Sequence, residues 1–425
     1  MANMFALIDC NNFYCSCERV FQPKLKDIPV AVLSNNDGCV IARSNEVKAL
    51  GVPMGAPYFK WKGLFQKNGV RVFSPNFELY GDMSDRVMQT IRPFTERMEI
   101  YSIDEAFTLL PDLPQSALSE YSQEMRSTVI KNTGIPVSVG VAPTKTLAKV
   151  ALELIKKTPT KTGSLDINQM QNIDTHLEKL TVRDVWGIGS ALTKRLQEMG
   201  ILTIRQLKYA NERMIKKTLH TPGLRTVMEL NGVSCLPLEE NDQPSKSVLC
   251  SRSFSRPILE YTELREAVSA FASLAGEKLR KEKRNANVLT VFVETGRFKK
   301  EHWYRNGKSI PLTRATNFTP DIIAAAEAGL KKIFLPDRSY KRAGILLSEL
   351  ERDSGLQPDL FQEMNTQALE RRSRAMSTLD AINKKFGTGA AKFLAEGIQQ
   401  SWKMKRKLKS PAWTTRLTEI PVAKC

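Results

Sequence analysis

Two adjacent carboxylates sit in Ser102-Ile103-Asp104-Glu105, between the apolar runs Met98–Tyr101 and Ala106–Leu110. Like charges repel, so placing them side by side at the bend of a predicted hairpin is costly unless a cation joins them. A third acid, Asp9, ends the apolar run Met4–Ile8. Asp9, Asp104 and Glu105, brought to the ends of neighbouring strands, could hold two magnesium ions and catalyse phosphoryl transfer. Adjacent strand residues point to opposite faces, so Asp104 and Glu105 share an ion only if the backbone bends there.

The elements that must position these acids follow from hydrophobic pattern. Met4–Ile8 reads as a buried strand and Phe13–Val20 as a helix. Val30–Leu33 and Cys39–Ala42 read as strands around a Ser34–Gly38 turn, and Glu46–Leu50 as a short helix. Leu79–Ile91 and Leu118–Ile130 read as amphipathic helices flanking the acid-bearing hairpin. Pro136–Val141 is a predicted strand and Lys145–Lys156 a predicted helix. This order is that of a split βαβ, ferredoxin-like sheet, with Asp9 and the Asp104-Glu105 bend on adjacent central strands.

From Asp166 to Leu238 the pattern is helical throughout. Gly187-Ile188-Gly189 precedes a predicted helix Ala191–Met199, a Gly200-Ile201 break and a helix Ile204–Tyr209. This resembles a helix-hairpin-helix, whose glycines let backbone N–H groups approach a phosphate. A polar linker, 241–247, leads to a second α/β sheet over 248–350. Its predicted strands are Val248–Phe254, Val288–Val293 and Gly344–Leu347, with helices near Leu264–Lys281 and Asp321–Ile333. The stretch Arg297–Lys300 is basic, and Phe298, Trp303 and Tyr304 flank it. From 351 no strand pattern remains. Met376–Phe386 and Ala390–Met404 read as helices, and a basic end follows.

Bulk numbers restrict the partners. The 425 residues suffice for two to four domains. Lys plus Arg number 63 against 45 Asp plus Glu, a formal charge of +18 that favours a polyanion such as nucleic acid. No apolar run is long enough to span a bilayer and no secretion signal opens the chain, so a cytoplasmic protein with no membrane partner is expected. Seven scattered cysteines argue against a disulfide framework or a zinc site.

Several segments together resemble the Y-family DNA polymerases. Asp9–Tyr14 resembles their first catalytic segment, Ser102–Phe107 their second, and Gly140–Lys149 the segment that follows. Asn35–Arg43 and Ile398-Gln399-Gln400 narrow the resemblance to the bacterial SOS-mutagenesis branch. The resemblance covers essentially the whole chain.

It implies an α/β and α+β multidomain protein. Palm and fingers take 1–165 (fingers about 23–76), an all-helical helix-hairpin-helix thumb 166–240, a small α/β little finger 248–350, and a basic C-terminal tail for clamp and partners 351–425. It implies two Mg2+ ions on Asp9, Asp104, Glu105 and the Cys10 carbonyl. Tyr14 matches a steric gate against a 2′ hydroxyl, and Ile41 the residue that roofs the nascent base pair. Lys48 and Lys156 match triphosphate contacts. Many members carry Tyr and Arg where this chain has Asn45 and Lys48. Lysine loses arginine's bidentate fork, and Arg43 could compensate. Gly187 and Gly189 would meet the duplex backbone.

Gln357-Pro358-Asp359-Leu360-Phe361 resembles a sliding-clamp peptide, with Gln357, Leu360 and Phe361 as its anchors. The region after it resembles the part of the family that meets the processed UmuD dimer and RecA. The expected function is error-prone, template-directed translesion synthesis in the SOS response, using primer-template DNA and deoxynucleoside triphosphates. A Mg-dependent nuclease and a non-catalytic DNA-binding checkpoint subunit are the alternatives. The Tyr14 gate and the basic triphosphate candidates argue against the first, the intact acid trio against the second.

Overall fold

The computed structural model describes residues 3–157, 163–239, 244–296, 303–353 and 366–420. It divides into two units: Met1–Ser34, Gly38–Asp242 and Leu408–Cys425 form one, Asn35–Asp37 and Gln243–Lys407 the other. The clamp candidates Gln357, Leu360 and Phe361, and the basic stretch Arg297–Lys300, lie outside the described residues.

In the first unit β1 (Phe5–Cys10) pairs with two neighbours and is buried along its whole length. Strand residues alternate between faces. Phe5 and Leu7 therefore enter one core with the helix Lys145–Lys157, while Ala6, Ile8 and Cys10 enter another with the helices Phe13–Phe21 and Phe77–Ile91. A separate three-stranded sheet joins β2 (Val30–Leu33) antiparallel to β3 (Val40–Arg43) and parallel to β4 (Arg71–Phe73). Ala31, Leu33, Val40, Val47 and Phe65 give it a core of its own.

The main sheet runs β5-β6-β1-β7-β8, with β5 Arg97–Ile100, β6 Glu105–Leu109, β7 Val137–Ala142 and β8 Ser164–Asp166. Gly140 on β7 lets the helix Lys145–Lys157 lie close. A Cβ there would stand 2.5 Å from the Ala148 carbonyl oxygen and 3.0 Å from the Ala151 Cβ.

The stretch from 166 is less uniformly helical than its pattern suggests: Asp166 closes β8, which pairs with β7, and 233–238 form no helix. Helices Ile173–Leu177, Ser190–Glu198, Ile204–Lys208 and Glu212–Leu230 then follow. The break before Ile204 is a capping box: Thr203 Oγ1 accepts from the Gln206 N–H, and Gln206 Oε1 accepts from the Thr203 N–H.

The second unit is a four-stranded antiparallel sheet, β9 (Val248–Ile258), β10 (Arg284–Thr295), β11 (Arg305–Thr316) and β12 (Tyr340–Arg352), in the order β11-β10-β12-β9. Helices Tyr261–Lys281 and Thr319–Ile333 cover one face. The expected helix Ala390–Met404 is absent. Only a 3-10 turn, Leu394–Glu396, forms there, and Gly397 at φ 72° ends it. The spacing that suggested a helix places Phe393, Ala395 and Trp402 on the unit's core instead. The preceding helix, Thr366–Phe386, is tied to the unit by Asp380, which accepts from Arg280 Nε and Nη2 at 2.7 and 2.8 Å.

Candidate active site

The register of the main sheet brings the acids together. Asp9 on β1 lies opposite Glu105 on β6. Directly paired residues share a face, here the one that the helix Lys145–Lys157 covers. That helix supplies their counterions: Lys149 Nζ donates to both Glu105 oxygens at 2.9 Å, and Lys156 Nζ lies 2.8 Å from Asp9 Oδ2. Lys149 and Lys156 are seven apart, two turns, so both ammonium groups leave one side of the helix.

At Asp104 the backbone does bend. Residues 102–104 are bends, and β6 begins only at Glu105. The N–H groups of Tyr101 and Ser102 both donate to the Glu105 carbonyl, and the Cys10 N–H donates to the Asp104 carbonyl at 2.9 Å. The Ser102 hydroxyl donates to Asp104 Oδ1 at 2.6 Å. Burial, then the charges of Asp9, Asp104 and Glu105, push the Cys10 thiol well above its ordinary range. The charges of all three carboxylates thus reach the end of β1. That thiol stays protonated in the core, which leaves the main-chain carbonyl as the oxygen Cys10 can offer.

Among the described residues no group of three or more His, Cys, Asp or Glu is placed so as to hold a metal ion by itself. The donor set is nonetheless hard oxygen on neighbouring strands, and ammonium groups already sit on Asp9 and Glu105. Such residues suit a hard divalent cation, with the lysines exchanged toward phosphate. Burial would lower Lys156, but the Asp9 carboxylate and then Glu153 overcome it and hold the ammonium above the usual lysine range.

The basic candidates converge from two directions. Lys48, on the helix Asn45–Ala49, is lowered by burial and then by Arg43 and Lys156, so the three cations share a neighbourhood. Arg43 is partly committed, since its Nη1 donates to the Val52 carbonyl. Asn45 accepts from Asn12 Nδ2 at 3.0 Å, which ties the loop after β1 to the helix Asn45–Ala49. Tyr14 lies nearly parallel to Tyr80, with ring centroids 4.4 Å apart. Burial and then Asp104 raise its phenol, which puts the ring beside the acids. Ile41 is partly buried against the core that contains Tyr80.

Gly187 has φ 85° and Gly189 caps the helix Ser190–Glu198. Neither has a heavy atom within 4 Å of where a Cβ would be. Both residues are exposed, so a phosphate could approach this helix start closely.

Sequence reasoning missed the wall behind the acids. Lys145 is buried and paired with buried Glu99 at 2.6 Å, and it also donates to the Pro237 carbonyl. Tyr101, Phe107 and Trp186 pack around Lys145 and Lys149, with Trp186 Nε1 donating to the Tyr101 hydroxyl. The lysines at positions 145 and 149, four apart on an amphipathic helix, were the available signal.

The fold has known counterparts. A chimera of the Y-family polymerases Dbh and Dpo4 superposes with a TM-score of 0.63 at 21% identity, covering 81% of this chain and 98% of that one. An insertion ternary complex of Dbh DNA polymerase gives 0.54 at 20% identity. The architecture is that of a Y-family DNA polymerase, with palm, fingers, thumb and little finger.

Sequence relatives are nearer. Protein UmuC of Salmonella typhimurium is 42% identical, covering 98% of this chain and 99% of that protein. Protein SamB of Salmonella typhimurium is 41% identical over 99% and 100%. DNA polymerase IV 1 of Bacillus subtilis is 30% identical over 90% of each. Residues 8–153 match the impB/mucB/samB family, 245–360 its C-terminal domain and 373–423 a domain of unknown function, DUF4113. The chain belongs to the impB/mucB/samB family, the UmuC-type branch of the Y-family DNA polymerases. Membership makes it a divalent-metal-dependent polymerase that binds DNA and nucleotide. Among the described residues no helix is long and apolar enough to cross a membrane.

Proposed function

We propose that this chain transfers deoxynucleotides to a primer terminus with Asp9, Asp104, Glu105 and the Cys10 carbonyl holding two Mg2+ ions. It is an error-prone translesion polymerase of the SOS type. The observation that carries the site reading is the Asp9–Glu105 register, with Asp104 in the bend just before Glu105. Magnesium bound there would lower the pKa of the attacking 3′ hydroxyl and neutralise charge on the leaving pyrophosphate.

The chain's own residues do the rest. Lys156, Lys48 and Arg43 draw the triphosphate in, and Lys156 and Lys149 then give up their carboxylates. Tyr14 stands under the incoming sugar and excludes a 2′ hydroxyl, while Ile41 roofs the new pair. Gly187 and Gly189 present N–H groups to the duplex backbone. Gln357, Leu360 and Phe361 form the clamp anchor, and the processed UmuD dimer and RecA complete the set of partners.

Primer extension with all four deoxynucleotides and Mg2+ tests the reading. Lengthened products that vanish in Asp104→Asn support it. Shortened products favour a nuclease, and synthesis that survives the substitution removes the acids from the chemistry.

A further inference from the structure

The chain's last described stretch belongs to the first unit, and there residues 408–414 form a strap with neither helix nor strand. Leu408 exchanges hydrogen bonds with the residue after β4: the Ser74 N–H donates to the Leu408 carbonyl at 3.0 Å, and the Leu408 N–H donates to Ser74 Oγ at 2.9 Å. Asn76 Nδ2 donates to the carbonyls of Ser410 and Pro411 and to Ser410 Oγ, at 3.0–3.2 Å. Trp413 stacks on Phe21, rings 10° from parallel.

The strap's deepest contact is polar. Ser410 Oγ donates to Glu18 Oε1 at 2.9 Å, and the Tyr80 hydroxyl donates to the same oxygen at 2.7 Å. Glu18, Asn76 and Tyr80 have no exposed surface. Glu18 lies one turn from Tyr14 on the helix Phe13–Phe21, and Tyr14 lies on the Tyr80 ring. A continuous chain of contacts therefore runs from Ser410 through Glu18 and Tyr80 to Tyr14. A strap that merely covered apolar surface would have no use for a buried carboxyl, which costs free energy to bury.

Steric exclusion is only as strong as the wall behind the excluding group. A ring that can slide back accommodates a hydroxyl; a ring clamped from behind does not. We infer that the strap is a positioning clasp for sugar selection: Ser410, acting through Glu18 and Tyr80, fixes Tyr14 against a ribonucleotide's 2′ hydroxyl. The clasp rests on the gate reading of Tyr14. It gives a task to the end of the segment matched to DUF4113. Ser410, Glu18 and Tyr80 are positioning residues and touch no nucleotide.

The test uses the full chain with 3-fluorotyrosine at position 14, read by 19F NMR, alongside single-nucleotide insertion of ribo- and deoxynucleotides. Ser410→Ala and Tyr80→Phe should shift or broaden the Tyr14 signal. They should also raise ribonucleotide kcat/KM relative to deoxynucleotide by about three- to tenfold, the factor one hydrogen bond is worth. Deoxynucleotide kcat should stay near that of the parent chain. Ser410→Thr, which keeps the hydroxyl, should restore both readouts. Lys409→Ala, which breaks only the strap's ion pair with Glu78, should move neither.

An unmoved Tyr14 signal in both variants overturns the clasp. A moved signal with unchanged selectivity overturns its role in sugar choice. Tyr14→Ala separates the two readings: if it leaves selectivity unchanged, the gate reading falls and takes sugar selection with it.

Discussion

Two of the molecule's sheets, the five-stranded and the four-stranded, are backed by helices and are built in opposite ways. The five-stranded sheet is packed on both faces, so β1 has no open side and its polar group falls at its end, at Asp9. The four-stranded sheet has a core on one face only. The other carries Leu249, Thr290, Phe292, Ser309, Arg305 and Arg342, none of which belongs to that core. Where both faces are buried, chemistry is confined to strand ends, and the register sets which groups meet. Where one face stays outside the core, a whole surface can meet an extended polyanion without any single residue being decisive.

That contrast can be broken at the strand ends first. Asp104→Asn should lower primer extension by on the order of 10³-fold, the several kcal/mol of charge stabilisation a metal ligand helps supply. Primer-template affinity by fluorescence anisotropy should stay within about twofold, because phosphate contacts dominate it. Lys145→Met attacks the wall behind the acids. It strands buried Glu99 and should cost about 3–5 kcal/mol of unfolding free energy in a urea titration.

The first unit should also respond to pH through Glu18. Burial raises this carboxyl to about 7, against the pull of hydrogen bonds from Tyr80 and Ser410. An acid whose folded pKa is raised binds its proton more tightly when folded. Its stabilisation is therefore complete below about pH 4.5 and lost as pH rises through about 7, a swing of about 3 kcal/mol. Glu18→Gln should flatten this part of the pH–stability curve; an unchanged slope would place the titration elsewhere.

The smallest effect belongs to the second sheet. Replacing Arg305 on β11 and Arg342 on β12, both on the face outside the core, by alanine should weaken DNA binding evenly across sequences. The slope of log affinity against log salt should shrink by about 0.9 per lost phosphate contact, with turnover at saturating DNA intact. A sequence-dependent loss would mean that this sheet reads bases.

Most of the main sheet was legible because its strands are short apolar runs between turn residues, and because the acids interrupt those runs at their ends. The 102–104 bend was legible as a requirement rather than as a shape. Strand β11 was not legible: it is an edge strand, largely exposed, with Gly307 and Pro311 inside it, and a proline is tolerated there because no second neighbour needs its N–H. The helix Tyr58–Lys67 escaped for a related reason. Phe59 is three-quarters exposed, so apolar residues fall outside its buried stripe. The strap was hidden because its basic residues suggest a solvated end, whereas Ser410 and Ala412 between them are buried. Lys149 and Lys156 were visible as charges, but only the register of the sheet shows which carboxylates they meet.

Gly140 carries a consequence for how this catalyst could vary. The hydrogen atom in place of a side chain sets the gap between β7 and the helix bearing Lys149 and Lys156. Any alanine there must lift that helix or bend the strand, and both ammonium groups would travel with it. One added methyl would thus shift two charges at once, which makes the spacing of these layers a shared ruler for the Lys149–Glu105 and Lys156–Asp9 ion pairs.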